Sequence, residues 1–390
     1  MMMNNLPDTP DLRILLIKLR HHGDMLLTTP VINSLRQKWP EAQIDVLLYE
    51  ETRDMLAAHP AIGTIYGIDR KWKQLGTLKH LQKEWQLLRA LRAQHYHLVI
   101  NLADQWRSAI VTRFTGAPVR LGFAFNKRKN AFWRFCHSEL VSVASHQSLH
   151  TVEQNLSILS ALPVMANPTV TMAYSADDWR HAHQKLTQKG VGDRYIVIQP
   201  TSRWFFKCWD EGKMAQTIAA LQQDGHTIVL TAGPDKKELA MIDRILAASP
   251  QTGVVSLAGQ LTLRQLASLI DHAILFIGVD SVPMHMAAAL QTPCVALFGP
   301  SKLTFWSPWQ VNGEVIWQVT TARFPTLTPL IQKRRNVIST PSPLMLSSPP
   351  QGDTCNEASS SGHCAPKISS GWRSRTFCLQ GTYRAEQSKS

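Results

Sequence analysis

Between positions 18 and 30 the sequence KLRHHGDMLLTTP places two histidines, a glycine and an aspartate at the junction of two patterns. Before it, residues 13–19 are almost all aliphatic, as in a strand covered on both faces of a parallel sheet. After it, Leu26, Leu27, Val31, Leu35 and Trp39 recur at helical spacing. Gly23 and Asp24 therefore stand at the carboxyl end of a strand, where open α/β sheets bind ligands. Two readings of Asp24 stand side by side. It is either a helix N-cap or a general base that removes a proton from an acceptor hydroxyl. His21 and His22 either assist or are exposed loop residues.

Three further turns carry chemistry of a different kind. In LFIGVDSVPMHMAAAL, residues 275–290, an apolar strand ends at Gly278-Val279-Asp280-Ser281, and a helix begins with Pro283 in its first turn. The open N–H groups and positive dipole end of such a helix suit a diphosphate, and His285 is one turn in. The alternative makes Asp280 or Ser281 a plain N-cap and His285 a packed histidine. In IQPTSRWFFKCWD, Thr201 and Ser202 follow a strand, and Lys207 precedes a helix that Asp210 can cap. Lys207 is either a cation for a phosphate or an ordinary surface lysine. In LFGPSKLTFWSP, Gly299 and Pro300 permit close backbone approach, while Lys302, Phe305 and Trp306 suit a base, a sugar or the core.

The elements that must position these residues alternate as strand and helix, and the alternation restarts midway. Strands are expected at 13–19, 43–49, 64–68, 96–102 and 119–122, with helices at 24–39, 51–58, 77–94, 104–115 and 147–161. A second series opens with RYIVIQP and continues through HTIVLTAGP, GVVSLAG, HAILFIGVD and PCVALFGP. Helices at 210–223, 235–248, 262–270 and 283–290 fill its gaps. Such units imply parallel sheets with right-handed crossovers. The expected organisation is an α/β chain of two Rossmann-like domains facing a cleft. They are an N-terminal domain at 1–165 and a C-terminal domain at 191–317, joined by a linker at 166–190. Residues 318–390, rich in Ser, Pro and Thr, are expected to form an atypical, disordered tail.

The 390 residues carry 41 Lys and Arg against 28 Asp and Glu, a formal net charge of +13, which points to an anionic partner. Lys127, Arg128, Lys129 and Arg134 fall in one expected loop with Phe123, Phe125, Phe132 and Trp133, and residues 70–73 form a second basic patch. Each is alternatively a solvated surface. No apolar stretch is long enough to span a membrane and the start lacks a signal-peptide plan, so a cytoplasmic location is expected. The six cysteines show no CxxC pair, which favours free thiols. Cys355, Cys364, Cys378 and His363 match no zinc spacing.

The stretches HHGDMLLTTPVINSLRQKWP, QPTSRWFFKCW and GVDSVPMHMAAALQTPCVALFGPSKLTFWSPW together resemble the bacterial heptosyltransferases of glycosyltransferase family 9. The D-[ST]-x-x-x-H helix followed by F-G-P-[ST] is the specific part. The resemblance covers residues 13–317. It implies a GT-B fold, ADP-L-glycero-D-manno-heptose as donor, and a heptose of the lipopolysaccharide inner core as acceptor. It further implies inverting transfer without a metal or other cofactor, and peripheral contact with the inner membrane surface. Asp24 then matches the catalytic base and Lys207 the donor-diphosphate lysine. Asp280, Ser281 and His285 match the nucleotide-sugar site, joined by Thr201, Ser202, Gly299 and Pro300. Gly23, Lys127, Arg128 and Lys129 are candidates for the acceptor side. The chain departs from the family in having Val282 where many members carry glycine. It also lacks a recognisable closing helix after Trp317, from which we expect a coding sequence read out of frame from about Gln318.

Other functions weigh against this reading. A nucleotide-sugar epimerase of the same fold would use similar diphosphate contacts without a second sugar. A chain with an altered tail would also suit an inactive binder of anionic glycolipid. A dehydrogenase is disfavoured because no GxGxxG follows the first strand. Nucleic-acid binding is disfavoured because the basic residues sit in loops and no recognised binding module is present.

Overall fold

A computed structural model describes residues 11–250 and 252–317. The atypical tail, the proposed change of frame and the three C-terminal cysteines lie outside the described residues.

The first half forms a six-stranded sheet from β1 (Arg13–Ile17), β2 (Gln43–Tyr49), β3 (Ile65–Ile68), β4 (Leu98–Asn101), β5 (Val119–Phe123) and β6 (Glu139–Val141). Its order is β3-β2-β1-β4-β5-β6 and every pairing is parallel. The second half repeats the plan with β7 (Ile196–Gln199), β8 (Ile228–Leu230), β9 (Val254–Ser256), β10 (Leu275–Val279), β11 (Cys294–Phe298) and β12 (Gly313–Trp317), in the order β12-β11-β10-β7-β8-β9. Both are therefore doubly wound sheets of the Rossmann order, in which the strand order reverses beside the first strand. Those switch points fall between β1 and β4 and between β7 and β10. Ile14, Leu15, Leu16 and Ile17 are fully buried, and every residue of β10 and β11 is buried, because helices cover both faces.

The expected helix at 24–39 is two helices, α1 (His22–Leu26) and α2 (Thr29–Lys38). The break has a local cause. Pro30 has no N–H for the carbonyl of Leu26, which accepts from Thr29 Oγ1 at 2.8 Å instead, and Thr28 Oγ1 takes the carbonyl of Asp24 at 2.7 Å. The remaining helices of the first half are α3 (Thr77–Arg92), α4 (Trp106–Phe114), α5 (Ala131–Cys136) and α6 (Thr151–Leu156). The expected helix at 51–58 is a 3-10 turn, Glu50–Met55, and 147–161 holds α6 followed by 3-10 turns at Ser157–Ala161. The basic segment at 127–134 is not one loop: Arg134 lies in α5, and Trp133 and Phe123 are core residues.

Within the expected linker, α7 (Ala176–Gln188) packs on the second half, where Trp179 stacks on His272 at 3.6 Å between centroids. The second half continues with α8 (Glu211–Gln223), α9 (Lys236–Ala247), α10 (Leu263–Asp271), α11 (Val282–Ala289) and α12 (Leu303–Trp306). Asp210 caps α8 by accepting from the Lys213 amide at 2.8 Å. The halves meet through loops as well as apolar contact. Thr151 Oγ1 donates to the Phe305 carbonyl at 2.9 Å, His150 Nε2 donates to the Ser307 carbonyl at 3.0 Å, and Trp309 stacks on His150 while donating to the Pro168 carbonyl.

Candidate active site

Four strand ends, those of β1, β4, β7 and β10, supply the site, and they are the strands that flank the two switch points. At the end of β10, Ser281 occupies the N-cap position of α11, yet its hydroxyl turns back to the Val279 carbonyl at 3.1 Å and caps nothing. The helix thus keeps its first-turn N–H groups open, with Pro283 in a place where no donor is lost. Val282 begins the helix without a positive φ, so the backbone conformation of this turn does not itself call for glycine. Asp280 is 3% exposed and its Oδ2 accepts from Lys207 Nζ at 2.7 Å. Lys207 is therefore not a plain surface lysine. The ion pair links the loop after β7 to the loop after β10.

His285 is 4% exposed, and its Nδ1 is buried with no hydrogen-bond partner among the described residues. Burial pushes its pKa down to about 4. The Asp280 charge opposes this, while the charges of His150 and Lys207 add to it. Near neutrality the site thus presents a neutral imidazole. Its ring edge faces the other half: a Cβ built on Gly23 would lie 3.4 Å from His285 Cδ2.

Gly23 and Asp24 occupy the second and third positions of α1, whose N-cap is His21. This removes the N-cap reading of Asp24. Its carboxylate accepts no hydrogen bond and makes no ion pair among the described residues, and it is partly exposed. Beside it lies Lys18, to which sequence reasoning gave no role. Lys18 is buried and donates from Nζ to Asn155 Oδ1 at 2.9 Å, and Asn155 Nδ2 donates in turn to the Leu27 carbonyl at 2.9 Å. Burial lowers the Lys18 pKa, and the charge of Asp24 counters it. The available signal was a lysine closing an otherwise apolar strand. Of the two histidines, His22 bonds to the Glu51 carbonyl at 2.8 Å, and burial lowers its pKa.

Asp104, after β4, is a second residue that sequence reasoning missed. Its carboxylate pairs with Arg20 at 3.0 Å and with Lys127, and its carbonyl accepts from Arg128 Nε at 2.7 Å. Burial would raise its pKa, but the hydrogen bond from Lys127 and the charges of Arg20 and Lys127 hold it below the usual range. Arg128 also lies over the Trp106 ring at 4.5 Å. Lys127 and Arg128 are thus anchored at the end of β4, whereas Lys129 is exposed.

The remaining expected donor residues divide in the same way. Thr201 is fully buried, accepting from Gln199 Nε2 at 2.9 Å and donating to Glu238 Oε2 at 2.6 Å. Its hydroxyl holds the turn. Ser202 is buried beside it, and its Oγ accepts from the Trp204 amide at 3.4 Å. A Cβ on Gly299 would meet only the Phe206 carbonyl, at 3.9 Å, so its backbone borders open space, with exposed Pro300 after it. Among the described residues no group of three His, Cys, Asp or Glu side chains is placed to hold a metal ion.

The family model "Glycosyltransferase family 9 (heptosyltransferase)" matches residues 84–330. The chain is 44% identical over 310 residues to a lipopolysaccharide heptosyltransferase 3 of Escherichia coli, covering 79% of this chain and 89% of that one. Among solved structures it resembles a family 9 glycosyl transferase from Veillonella parvula, with a TM-score of 0.70 and 22% identity over 83% of this chain and 91% of that one. It likewise resembles the E. coli heptosyltransferase WaaC with ADP, with a TM-score of 0.67 and 21% identity over 83% of this chain and 99% of that one. These last two likenesses concern the fold, which is GT-B. With paired switch points, an open helix N-terminus and this sequence kinship, the chain belongs to glycosyltransferase family 9, the heptosyltransferases.

Proposed function

We propose that Asp24, Lys207 and the N-terminus of α11 carry out heptose transfer from ADP-L-glycero-D-manno-heptose to an inner-core heptose of lipopolysaccharide. The reaction class follows from family membership and from the 44% identical heptosyltransferase 3. One observation carries the assignment of residues: the Lys207–Asp280 pair stands at an uncapped helix N-terminus whose His285 faces Gly23, next to an unengaged aspartate.

Asp24 removes the proton of the acceptor hydroxyl, which attacks the anomeric carbon as the bond to ADP breaks. A single displacement of this kind inverts the configuration. Negative charge develops on the departing diphosphate, where the N–H groups of α11 and the ammonium of Lys207 are already oriented. Lysine has three donors, so Lys207 can stay bonded to Asp280 while meeting a phosphate oxygen. An acceptor borne by a lipid calls for an enzyme working at the cytoplasmic face of the inner membrane. No helix among the described residues is long and apolar enough to cross a membrane.

The test is ADP release from ADP-heptose, with and without core lipopolysaccharide lacking the side-branch heptose, in the native chain and in Asp24→Asn. Acceptor-dependent release that falls by about 10²-fold or more in the variant supports the base. Equal turnover in the two proteins rejects Asp24, and release without an acceptor rejects transfer.

A further inference from the structure

Residues 70–136 carry fourteen Lys and Arg against two acidic residues, so nearly all of the formal excess of +13 resides in this stretch. The two acids offer no free negative charge to balance it. Glu84 is engaged by Arg107 and His80, and Asp104 by Arg20 and Lys127.

The same stretch leaves large apolar side chains uncovered. On α3, Leu78, Leu81 and Trp85 follow at steps of three and four, which puts them on one helix face, and they are 84%, 59% and 53% exposed. The helix packs inward through Leu87 and Leu91 instead. Trp85 meets Phe114 of α4 edge-on, with centroids 5.6 Å apart, and Ile110 and Trp106 are exposed on the same helix. Trp106 lies 5.8 Å from Phe132 of α5, where Phe135 is also exposed beneath the Arg113 guanidinium. Three consecutive helices thus share one apolar and aromatic strip. Lys71, Lys73, Lys79 and Lys83 border it at the α3 end and are exposed. An uncovered strip of this extent marks an interaction surface. Apolar side chains between solvated cations are the composition that enters the headgroup layer of an anionic bilayer.

We infer that the face formed by α3, α4 and α5 docks on an anionic phospholipid surface, with Leu78, Leu81 and Trp85 entering the headgroup layer. This deepens the reading of a lipid-borne acceptor by assigning the part of the molecule that meets the lipid. Docking requires neither donor nor acceptor, so it is measured separately from transfer.

The full-length chain is sedimented with vesicles of phosphatidylglycerol and phosphatidylethanolamine, and with vesicles of phosphatidylcholine alone. The native chain is expected to partition at least about tenfold more strongly to the anionic vesicles, with the preference shrinking in high salt. Leu78→Ser/Leu81→Ser/Trp85→Ser, and separately Lys79→Glu/Lys83→Glu, are expected to weaken that binding by about tenfold or more. Both variants should keep native circular dichroism and turnover on a lipid-free core oligosaccharide. Unchanged vesicle binding in both folded variants would overturn the assignment. So would a native dimer in sedimentation velocity that the triple variant disperses, since the face would then join two copies. Vesicle binding without any acceptor-dependent ADP release would leave this surface standing and sink the transferase reading instead.

Discussion

Lys207 Nζ and Asp280 Oδ2, 73 residues apart in the chain, meet at 2.7 Å and tie together the two turns that border the switch point of the second sheet. Removing one partner leaves the other in a largely buried setting. Lys207→Met should therefore lose both function and stability: turnover falls by about 10²- to 10³-fold through loss of diphosphate stabilisation, and unfolding becomes easier by about 3 kcal/mol because Asp280 is left unpaired. Lys207→Met/Asp280→Asn should recover much of the stability and none of the turnover. Urea unfolding alongside initial rates separates the two effects.

Asp24 behaves oppositely. Its carboxylate holds no structural bond, so Asp24→Asn should unfold within about 0.5 kcal/mol of the native chain while turnover drops by about 10²- to 10⁴-fold. The same substitution removes the charge that supports the ammonium of Lys18. The Lys18 pKa, already lowered by burial, should then fall further, which NMR of the lysine ammonium would register.

At Gly23 the available space sets the outcome. A methyl group would sit 3.4 Å from His285 Cδ2, an ordinary contact. Gly23→Ala should fold normally, with a stability change within about 1 kcal/mol. A larger group has no room beside the ring, so Gly23→Leu should lower kcat at least tenfold with a smaller effect on the melting temperature.

Acid should weaken the fold in a defined window. His285 and His59 are buried, and burial pushes each pKa down to about 4, with Arg36 adding to the effect at His59. The unfolded chain takes up these protons near the ordinary histidine value of 6.5, whereas the native chain refuses them until about 4. Stability therefore falls as pH drops between those values, by on the order of 3 kcal/mol per histidine, and this contribution levels off below. His59→Gln should flatten that slope in denaturation curves taken from pH 7 to pH 4.

The strands and most helices of both halves were legible because a strand buried on two faces writes itself as an aliphatic run, and RILLI and LFIGV are such runs. The turns that hold Asp24, Lys207 and Asp280 were legible for the same reason, being the ends of those runs. Their partners were not. Lys18 and Asn155 are 137 residues apart, and no local pattern announces that one satisfies the other. The break between α1 and α2 was hidden as well, because apolar spacing continues through it while Thr28, Thr29 and Pro30 redirect the carbonyls. Helix α5 escaped notice because a short aromatic and basic stretch has no clear period.

Trp309 stacks on His150 at 4.6 Å between centroids and gives its indole N–H to the Pro168 carbonyl, so one side chain touches the first sheet's last helix and the connecting segment together. A change of angle between the halves must slide that ring against the imidazole. The molecule thereby contains its own optical gauge: the fluorescence difference between the native chain and Trp309→Phe isolates one indole among twelve, and a change in its quenching would report a change of angle between the halves.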